Sequence, residues 1–313
     1  MSALSLDELL AVFLKDRWLR PETQKTYASR LGIFKSYIGG DVLACEVTRD
    51  QVLEWREQSI GNAFEKKISE ITWNNYVRHL RAIYKHGIDH GHLPVMKNPF
   101  AGVSVSVYKK KKKVLTQGQI KLARECLMLS EKLEQARGKP ERIHPAWFWR
   151  VVFETFYHTG MRLRQLLYLT PGDVNIRDGY IVASSEGAKN RVEHTIPIST
   201  ALGPHLKMLM NSARVMGFER GDQLFNVNRF SERHRSEKMN TWQVERFFDL
   251  LSEACGCRIT PHRFRHTLGT ELMREPDRNL HITKALLGHS SVKTTLEYVH
   301  TDVEMLRPHL ENR

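Results

Sequence analysis

The sequence predicts a mainly α-helical protein of two domains: an N-terminal helical bundle and a larger, mostly helical α+β domain with a small antiparallel sheet. Three observations predict it. Apolar residues recur at the three- and four-residue spacing of amphipathic helices over most of the 313 residues. The segment 179–198 alternates apolar and polar residues as strands do. A stretch with five consecutive lysines cannot bury apolar area, so we place a basic linker at 101–114 between domains at 1–100 and 115–313.

The first domain shows four helical patterns. The first pattern covers 4–18. The second begins at Pro21, whose ring suits the first helical turn, and ends at the pair Gly39-Gly40. Thr48 supplies a capping hydroxyl for the third. The fourth, SEITWNNYVRHLRAIYKHGIDHG, carries an aromatic stripe that packing in the core explains, and its opposite face carries cations.

The second domain begins with a helix that Thr116 caps and that runs to about residue 134. Pro145 opens a strongly apolar helix, a left-handed Gly160 ends it, and a further helix, RLRQLLYL, starts directly afterwards. Two short strands around a Ser-Glu-Gly turn follow within 179–198. We predict later helices at about 200–216, 241–255, 261–274 and 279–288.

The chain is strongly basic, with 48 Lys and Arg residues against 35 Asp and Glu, a net charge of +13 and a pI near 9.6. Such an excess favours a polyanionic partner, either nucleic acid or, less often, an acidic membrane surface; the alternative is that the charge only aids solubility. The lysine run is either a solvated connector or a contact to a polyanion that passes between the domains. Cations of the fourth helix and of the run are the candidate phosphate contacts, namely Arg78, Arg81, Lys85, Lys109, Lys110, Lys111, Lys112 and Lys113.

The stretch TPHRFRHTLGT, 260–270, places four cationic or titratable side chains in the first turns of a helix. A helix N-terminus already carries about half a positive charge, so the arrangement favours an anion bound there. His262, Arg265 and His266 project from one face because they lie at i, i+3 and i+4. A zinc site is disfavoured since Arg263 stands where metalloprotease helices have a glutamate. A phosphate clamp fits better, because a guanidinium is permanently charged and grips two oxygens at once.

Two further segments carry candidate site residues. In HTGMRLRQLLYL, Arg162 follows the turn at Gly160 and can point into a cleft; the alternative is a surface arginine beside a helix end. In LLGHSSVKTTLEYVH, Tyr298 follows His289 by nine residues. A tyrosine near a chain end is often a half-buried packing residue. Here the same basic domain also holds arginines and histidines that suit nucleophilic chemistry on a phosphate.

The motifs TGMR, HRFRH and GHSSVKTTLEY, in this order and with this His-to-Tyr spacing, resemble those of the tyrosine recombinase family, the phage-type and Xer-like integrases. The resemblance covers the second domain, and the helical first domain is similar to the family's core-binding, SAM-like module. It implies that Arg162 is the first catalytic arginine and that His262 and Arg265 form the H-x-x-R pair. It likewise implies that His289 is the late catalytic histidine and Tyr298 the nucleophile.

The family also places a catalytic lysine on a β-hairpin. The stretch KNRVEHTIPI resembles the family's lysine, basic residue and Val/Ile-Pro-Leu strand end, which selects Lys189. Counting from Arg162 at the usual distance selects Glu186 instead, whose carboxylate cannot replace a lysine. A second departure is Gln165, where the family often has a carboxylate. A neutral amide can orient Arg162 by hydrogen bonding but lacks the charge.

The resemblance implies a site-specific DNA recombinase that cleaves and rejoins strands through a 3′-phosphotyrosyl intermediate, without metal, ATP or another cofactor. Its expected partners are double-stranded DNA with a specific core site and further copies of the chain, in a homotetramer on two duplexes. Two other functions share the motifs. One is a type IB topoisomerase-like enzyme that relaxes DNA, and the other is a catalytically inactive DNA-binding regulator of the same fold.

The sequence also indicates in which cellular compartment the protein is expected. It has no apolar run of the ~20 residues needed to cross a bilayer. Its acidic first residues, MSALSLDELLAVF, are unlike an export signal. The four cysteines are few and scattered, and Cys255 and Cys257 form a lone CxC, too little for a zinc site or a disulfide framework. We therefore expect a cytoplasmic, nucleoid-associated protein with no membrane partner.

Overall fold

The structure is a computed structural model that describes residues 4–40, 42–61, 67–108, 113–184, 193–233 and 236–299. The chain divides into two compact units, Met1–Lys110 and Lys111–Arg313, called here the first and the second unit. The described residues are mainly helical and include a small antiparallel sheet, as the sequence predicts. None of the helices within them is long and apolar enough to cross a membrane.

The first unit is a helical bundle with an aromatic core. Its helices, in the described residues, are α1 (Leu6–Asp16), α2 (Pro21–Ile38), α3 (Arg49–Ile60) and α4 (Glu70–Asp89). Trp55 and Trp73 pack edge to face in the core with ring centroids 4.8 Å apart. Capping sets where the helices begin, since the Thr48 hydroxyl accepts a hydrogen bond from the Gln51 backbone N–H ahead of α3. The four predicted helices are confirmed, with small shifts at their ends.

Helix α4 faces the core with one side and solvent with the other. Trp73 donates from Nε1 to the Val103 carbonyl 3.0 Å away, and the Asn74 amide pairs with both backbone groups of Val105. Val103 is buried in the core of the first unit, so the first residues of the predicted linker pack on the bundle. The predicted phosphate contacts on the outward face of α4 are exposed, namely Arg78, Arg81 and Lys85.

The second unit is built around a deeply buried helix, α6. The elements that the structure describes in this unit are α5 (Gln117–Arg137), α6 (Ala146–Thr159), α7 (Leu163–Tyr168), β1 (Val174–Asn175), β2 (Tyr180–Ala183), β3 (His194–Pro197), α8 (Gly203–Val215), α9 (Thr241–Ala254), α10 (Pro261–Leu272), α11 (Pro276–Leu287) and α12 (Val292–Leu296). Helix α6 contacts α5, α8 and α10. Its apolar side chains, among them Phe148, Val152 and Phe156, are fully buried, which is why the helix lies in the interior.

The three strands form an antiparallel sheet in the order β1-β2-β3. Strand β2 pairs with β3 so that Ile181 opposes Ile196 and Ala183 opposes His194. Both isoleucines are fully buried, so the register is fixed by the face that packs on the helices. The predicted strand pair is confirmed, and its turn at 185–192 lies outside the described residues. Strand β1 escaped prediction because two residues are too few to show an alternating pattern.

A buried ion pair joins α6 to α5. The Glu154 carboxylate, 5% exposed, accepts hydrogen bonds from Nε and Nη2 of Arg124, each at 2.7 Å. Burial alone would raise the pKa of Glu154, but hydrogen bonds from Arg124 and His158 and the Arg124 charge lower that pKa to about 2. Glu154 is therefore ionised at neutral pH and holds α6, whose end leads into the candidate site.

Candidate active site

The turn after α6 brings Arg162 into the interior. Gly160 ends α6 in the left-handed conformation, with φ 59° and ψ 17°. A Cβ atom there would lie 2.8 Å from Leu268 Cδ2 and 3.1 Å from Leu287 Cδ2, so the close approach requires glycine. Arg162 follows in an extended conformation and is the N-cap residue, directly before the first residue of α7. Its guanidinium Nη1 is buried and has no hydrogen-bond partner among the described residues.

Gln165 holds the backbone of Arg162 and not its guanidinium. The Gln165 amide oxygen accepts a hydrogen bond from the Arg162 N–H at 2.9 Å, and the Gln165 side chain is fully buried. Its amide nitrogen Nε2 is also buried, without a partner in the part of the chain that is described. The amide thus orients Arg162 through the main chain and contributes no charge. Burial lowers the pKa of Arg162, an effect that nearby Tyr298 opposes.

Arg265 lies in the interior of the second unit, on α10. The Thr260 hydroxyl caps this helix, as predicted, by accepting from the Arg263 N–H. Arg265 is 3% exposed and donates to the Gly160 carbonyl at 3.0 Å and to the Leu287 carbonyl at 2.6 Å. Burial, and then the charge of the nearby arginine at 162, lower its pKa to about 10, so it remains cationic at neutral pH.

Tyr298 follows α12 and is 3% exposed. Its phenol lies close enough to Arg265 and Arg162 for both charges to act on it. Burial raises the pKa of the phenol, and the two arginines partly offset the rise. The ring lies against α10 at Gly269, where an added Cβ atom would be 2.7 Å from Cδ1 and 2.8 Å from Cε1. The predicted arginines and tyrosine therefore come together.

His289 stacks on Tyr298. The two rings are nearly parallel, at 12°, with centroids 5.7 Å apart. His289 is 7% exposed, and its Nδ1 lies 2.9 Å from the hydroxyl oxygen of fully buried Thr295. A left-handed Gly288 ends α11 and turns the chain so that the imidazole reaches the tyrosine. The predicted late histidine is thus part of the cluster.

The two histidines of α10 lie on the same side of the cluster but at different depths. His262 is exposed, and its ring centroid is 4.1 Å from that of His266. His266 is half-buried, with its centroid 5.5 Å from that of Tyr298. His266, which sequence analysis did not select as a catalytic residue, therefore stands between His262 and the phenol. Its spacing of four from His262 was the available signal.

A further histidine, His194, lies beside the arginines. It begins β3, and burial, then Arg265, then Arg162 lower the pKa of its imidazole. Sequence analysis noted it only as the basic residue of the hairpin motif. His194 is far in sequence from Arg162 and Arg265, so its contact with the two arginines depends on the tertiary fold and could not be read from local spacing.

The remaining predicted residues are the hairpin lysine, the cations of α4 and the lysine run. Lys189 and the lysines at 109–112 lie outside the described residues, whereas Lys113 is described and exposed. On the first unit, Arg78 donates to the Asn75 side chain at 2.8 Å and Lys85 lies 3.8 Å from Asp89. The described residues contain no group of three His, Cys, Asp or Glu side chains that could hold a metal ion.

The cluster combines buried cationic groups with a phenol hydroxyl. Guanidinium groups from α10 and from the turn before α7 converge in the interior, where charged donors bind an anion such as a phosphate more strongly than in water. The phenol of Tyr298 occupies the same place. A phosphodiester held by the arginines would lie next to a hydroxyl that can attack phosphorus.

Comparison with known proteins identifies the family. The phage integrase family matches residues 127–305. Over 313 residues the chain is 40% identical to a Pseudomonas syringae protein named "Putative tyrosine recombinase XerC", covering 100% of this chain and 65% of that protein. A Pseudomonas aeruginosa protein of the same name is 39% identical over 298 residues, covering 94% of this chain and 68% of that protein. The chain thus spans only part of the length of these relatives.

Solved structures share the fold. The Tn1549 transposon integrase in complex with transposon right end DNA matches with a TM-score of 0.73 at 18% identity, covering 99% of each chain. A lambda integrase dimer bound to a COC′ core site matches with a TM-score of 0.69 at 19% identity, covering 95% of this chain and 96% of the other. The fold is that of an integrase. The chain belongs to the phage integrase family of tyrosine recombinases.

Proposed function

We propose that this chain is a site-specific DNA recombinase that cleaves and rejoins strands through a 3′-phosphotyrosyl intermediate at Tyr298. The observation that carries the proposal is the position of buried Tyr298 beside Arg265 and Arg162, whose charges both act on the phenol. Membership of the phage integrase family supports the reaction class. The names of the relatives and the DNA-bound integrases of the same fold support DNA as the substrate.

The arginines bind and activate the phosphodiester. A phosphorus under attack becomes pentacoordinate and its non-bridging oxygens gain negative charge. Arg162 and Arg265 are preorganised to stabilise that charge. One such donor lowers the activation barrier by about 3–4 kcal/mol, which is about 10²–10³ in rate. The unpartnered Nη1 of Arg162 is the donor that the protein leaves free for this purpose within its described residues.

The phenol needs a proton acceptor. Because burial raises its pKa above the usual value, Tyr298 is protonated at neutral pH. His262 is the proposed acceptor or relay, and the half-buried His266 lies on the path between them. His289, stacked on the tyrosine, is placed to donate to a phosphate oxygen. A general base of this kind contributes about 10²–10⁴-fold.

The cleavage step exchanges one phosphodiester bond for another and requires no external source of energy. The Tyr298 oxygen forms a bond to phosphorus while the bond from phosphorus to the 5′ oxygen breaks. Lys189 is the proposed general acid that gives this oxygen its proton. The phosphotyrosyl bond conserves the free energy of the diester, so attack by a 5′-hydroxyl reseals the strand without ATP or metal. Attack by the 5′-hydroxyl of another duplex exchanges strands.

Exchange between duplexes requires several copies of the chain. We propose a homotetramer on two duplexes, each bearing a specific core site, in the cytoplasm at the nucleoid. Cations supply sequence-independent affinity by binding backbone phosphates, namely the exposed Arg78, Arg81 and Lys85 together with the lysine run at 109–113.

One observation favours an alternative. Gln165 places an uncharged amide where the family often has a carboxylate, which fits a DNA-binding regulator that kept the fold and lost catalysis. A topoisomerase-like enzyme is the other alternative, and it would relax supercoils without exchanging strands between duplexes. Strand transfer between two labelled duplexes separates it from a recombinase.

A suicide substrate, nicked next to the cleavage point, tests the proposal. The short fragment that carries the free 5′-hydroxyl diffuses away after cleavage, which prevents resealing. Wild-type protein should therefore become covalently attached to DNA. Tyr298→Phe should bind DNA equally well and form no adduct. Tyr168→Phe is the matched control, because Tyr168 is an exposed tyrosine of the same unit and should leave trapping unchanged. Equal DNA binding with no adduct from any variant would favour the regulator.

A further inference from the structure

His194 packs on the turn that carries two parts of the candidate site. A Cβ atom built on Gly288 would lie 2.7 Å from Cε1, 2.8 Å from Nδ1 and 3.0 Å from Nε2 of its imidazole. Gly288 follows Leu287, whose carbonyl binds Arg265, and precedes His289, which stacks on Tyr298. The imidazole therefore packs on the residue that connects the Arg265 contact at Leu287 with the Tyr298 contact at His289.

Both ring nitrogens of His194 are buried, and neither has a hydrogen-bond partner among the described residues. The Leu286 backbone lies close enough to favour the protonated ring, but the contact does not meet hydrogen-bond geometry. Folded proteins rarely leave a buried imidazole unpaired, because the lost hydrogen bonds to water are not replaced. The ring is therefore placed to meet a ligand.

Two neighbouring groups share this condition. Nη1 of Arg162 and Nε2 of Gln165 are also buried without a partner in the described part of the chain. Gln165 is bonded to the Arg162 backbone, and His194 is close enough to Arg162 for the arginine to disfavour a charge on the imidazole. Unpaired nitrogen atoms of His194 and Arg162, which belong to separate segments, thus lie near each other. A single anion with several acceptor oxygens would satisfy them together.

The charges around His194 decide what its imidazole can do there. Arg265 and Arg162 both oppose protonation, and burial opposes it too, so the imidazole is neutral at physiological pH. A neutral imidazole offers one N–H donor and no net charge. It can hydrogen-bond an oxygen of a bound phosphate, and it adds no further repulsion to the two guanidinium groups.

We propose that His194 donates a hydrogen bond to a non-bridging oxygen of the phosphodiester that Arg162 and Arg265 bind, as an additional substrate-contacting residue. This inference rests on the proposed function. The competing explanation is that the ring only fills space beside Gly288 and so seats His289.

Stereospecific sulfur substitution distinguishes the two. Cleavage is measured in single turnovers on three suicide duplexes, one with the natural diester and two with a pure Rp or Sp phosphorothioate at the cleavage point. The proteins are wild type, His194→Leu, His194→Gln and the control His281→Leu, which alters an exposed histidine of α11. Melting temperature and DNA affinity are measured for each.

If His194 contacts the phosphate, the effect of replacing its side chain should depend on which non-bridging oxygen is replaced by sulfur. His194→Leu should slow cleavage of the natural diester by about 10²-fold. With sulfur at the contacted oxygen, a weaker acceptor, the same substitution should cost clearly less, and with the other isomer its full effect should remain. His194→Gln, which keeps an N–H donor, should recover part of the rate, and His281→Leu should match wild type.

A packing role predicts a different result. His194→Leu would then slow all three substrates by the same factor, and His194→Gln would recover nothing. Either that pattern or a wild-type rate for His194→Leu overturns the inference while leaving the proposed function intact. If His194→Leu does not fold, the same comparison is made with His194→Gln. If wild type forms no Tyr298-dependent adduct on the natural duplex, the proposed function fails and the inference falls with it.

Discussion

Arg265 lies beside the phenol of Tyr298, and its guanidinium donates to the carbonyls of Gly160 and Leu287 at 3.0 and 2.6 Å. One guanidinium thus links the turn after α6 and the end of α11 to α10, next to the tyrosine. Arg162 has no comparable bonds from Nη1 within the described residues. The two arginines therefore differ in what they do for the fold, although both lie near Tyr298.

That difference predicts distinct effects of Arg162→Ala and Arg265→Ala. Each should slow single-turnover cleavage by about 10²–10³-fold. Arg265→Ala should also lower the melting temperature, because two buried carbonyls lose their donor at a cost of about 1–3 kcal/mol each. Arg162→Ala should melt close to wild type. DNA affinity should change little in either variant, since many other cations supply it. Affinity and cleavage falling together would contradict this division of roles.

Gly269→Ala should impair cleavage without impairing DNA binding. The new methyl group would meet the Tyr298 ring at 2.7 Å, so the buried ring would have to shift from its position. A displacement of about 1 Å in a reacting group costs about 10²-fold in rate. Gly118→Ala is the control, because a Cβ atom there meets its nearest neighbour at 3.9 Å. Cleavage by Gly269→Ala at the wild-type rate would show that the ring position is not critical.

Glu154→Gln should destabilise the protein at neutral pH, and the difference should shrink in acid. The pKa of Glu154 is lowered to about 2 in the folded protein, so its ionised form contributes stability above the unfolded pKa of 4.5. That contribution is lost as the pH falls from about 4.5 towards 2.

Urea unfolding at pH 7 should give a loss of about 2 kcal/mol, since Arg124 keeps part of its contact with water. Glu253→Gln, which breaks the exposed pair with Arg142, should change stability by less than about 0.5 kcal/mol. A gap between wild type and Glu154→Gln that widens as the pH falls would refute the assigned charge.

Lys189→Ala should be rescued by a better leaving group. The general-acid role predicts a rate loss of about 10²–10⁴-fold on an ordinary strand. A strand with sulfur in place of the 5′ bridging oxygen needs no proton to leave, so the variant should cleave it at nearly the wild-type rate. Lys207→Ala, at an exposed position of α8, should behave as wild type on both strands. A variant that stays slow on the sulfur strand would exclude Lys189 as the acid.

Local signals in the sequence predicted the helices and their ends well. The hydroxyls of Thr48, Thr116 and Thr260 each cap a helix as expected, and Gly160 ends α6 in the left-handed conformation. These features depend on residues a few positions apart, so they can be recognised without the fold. Strand β1 has only two residues and offered no period to detect.

The candidate site was predictable where a motif carried it and not elsewhere. Arg162 and Arg265 belong to recognisable motifs and lie together with Tyr298. His266 was indicated only by its spacing of four from His262, whereas His194 reaches the same place through packing, which depends on the tertiary fold. The burial of Arg265 was likewise not evident, because a helix N-terminus with several cations reads as an exposed surface.

The most direct measurement is the identity of the residue that becomes linked to DNA. Protein trapped on the nicked duplex is digested with trypsin and nuclease, and the modified peptide is sequenced by mass spectrometry. A 3′-phosphonucleotide on Tyr298, in the peptide that begins at Thr294, is the predicted result. An adduct on another residue, or DNA that is cleaved without any adduct, would contradict catalysis by the buried tyrosine.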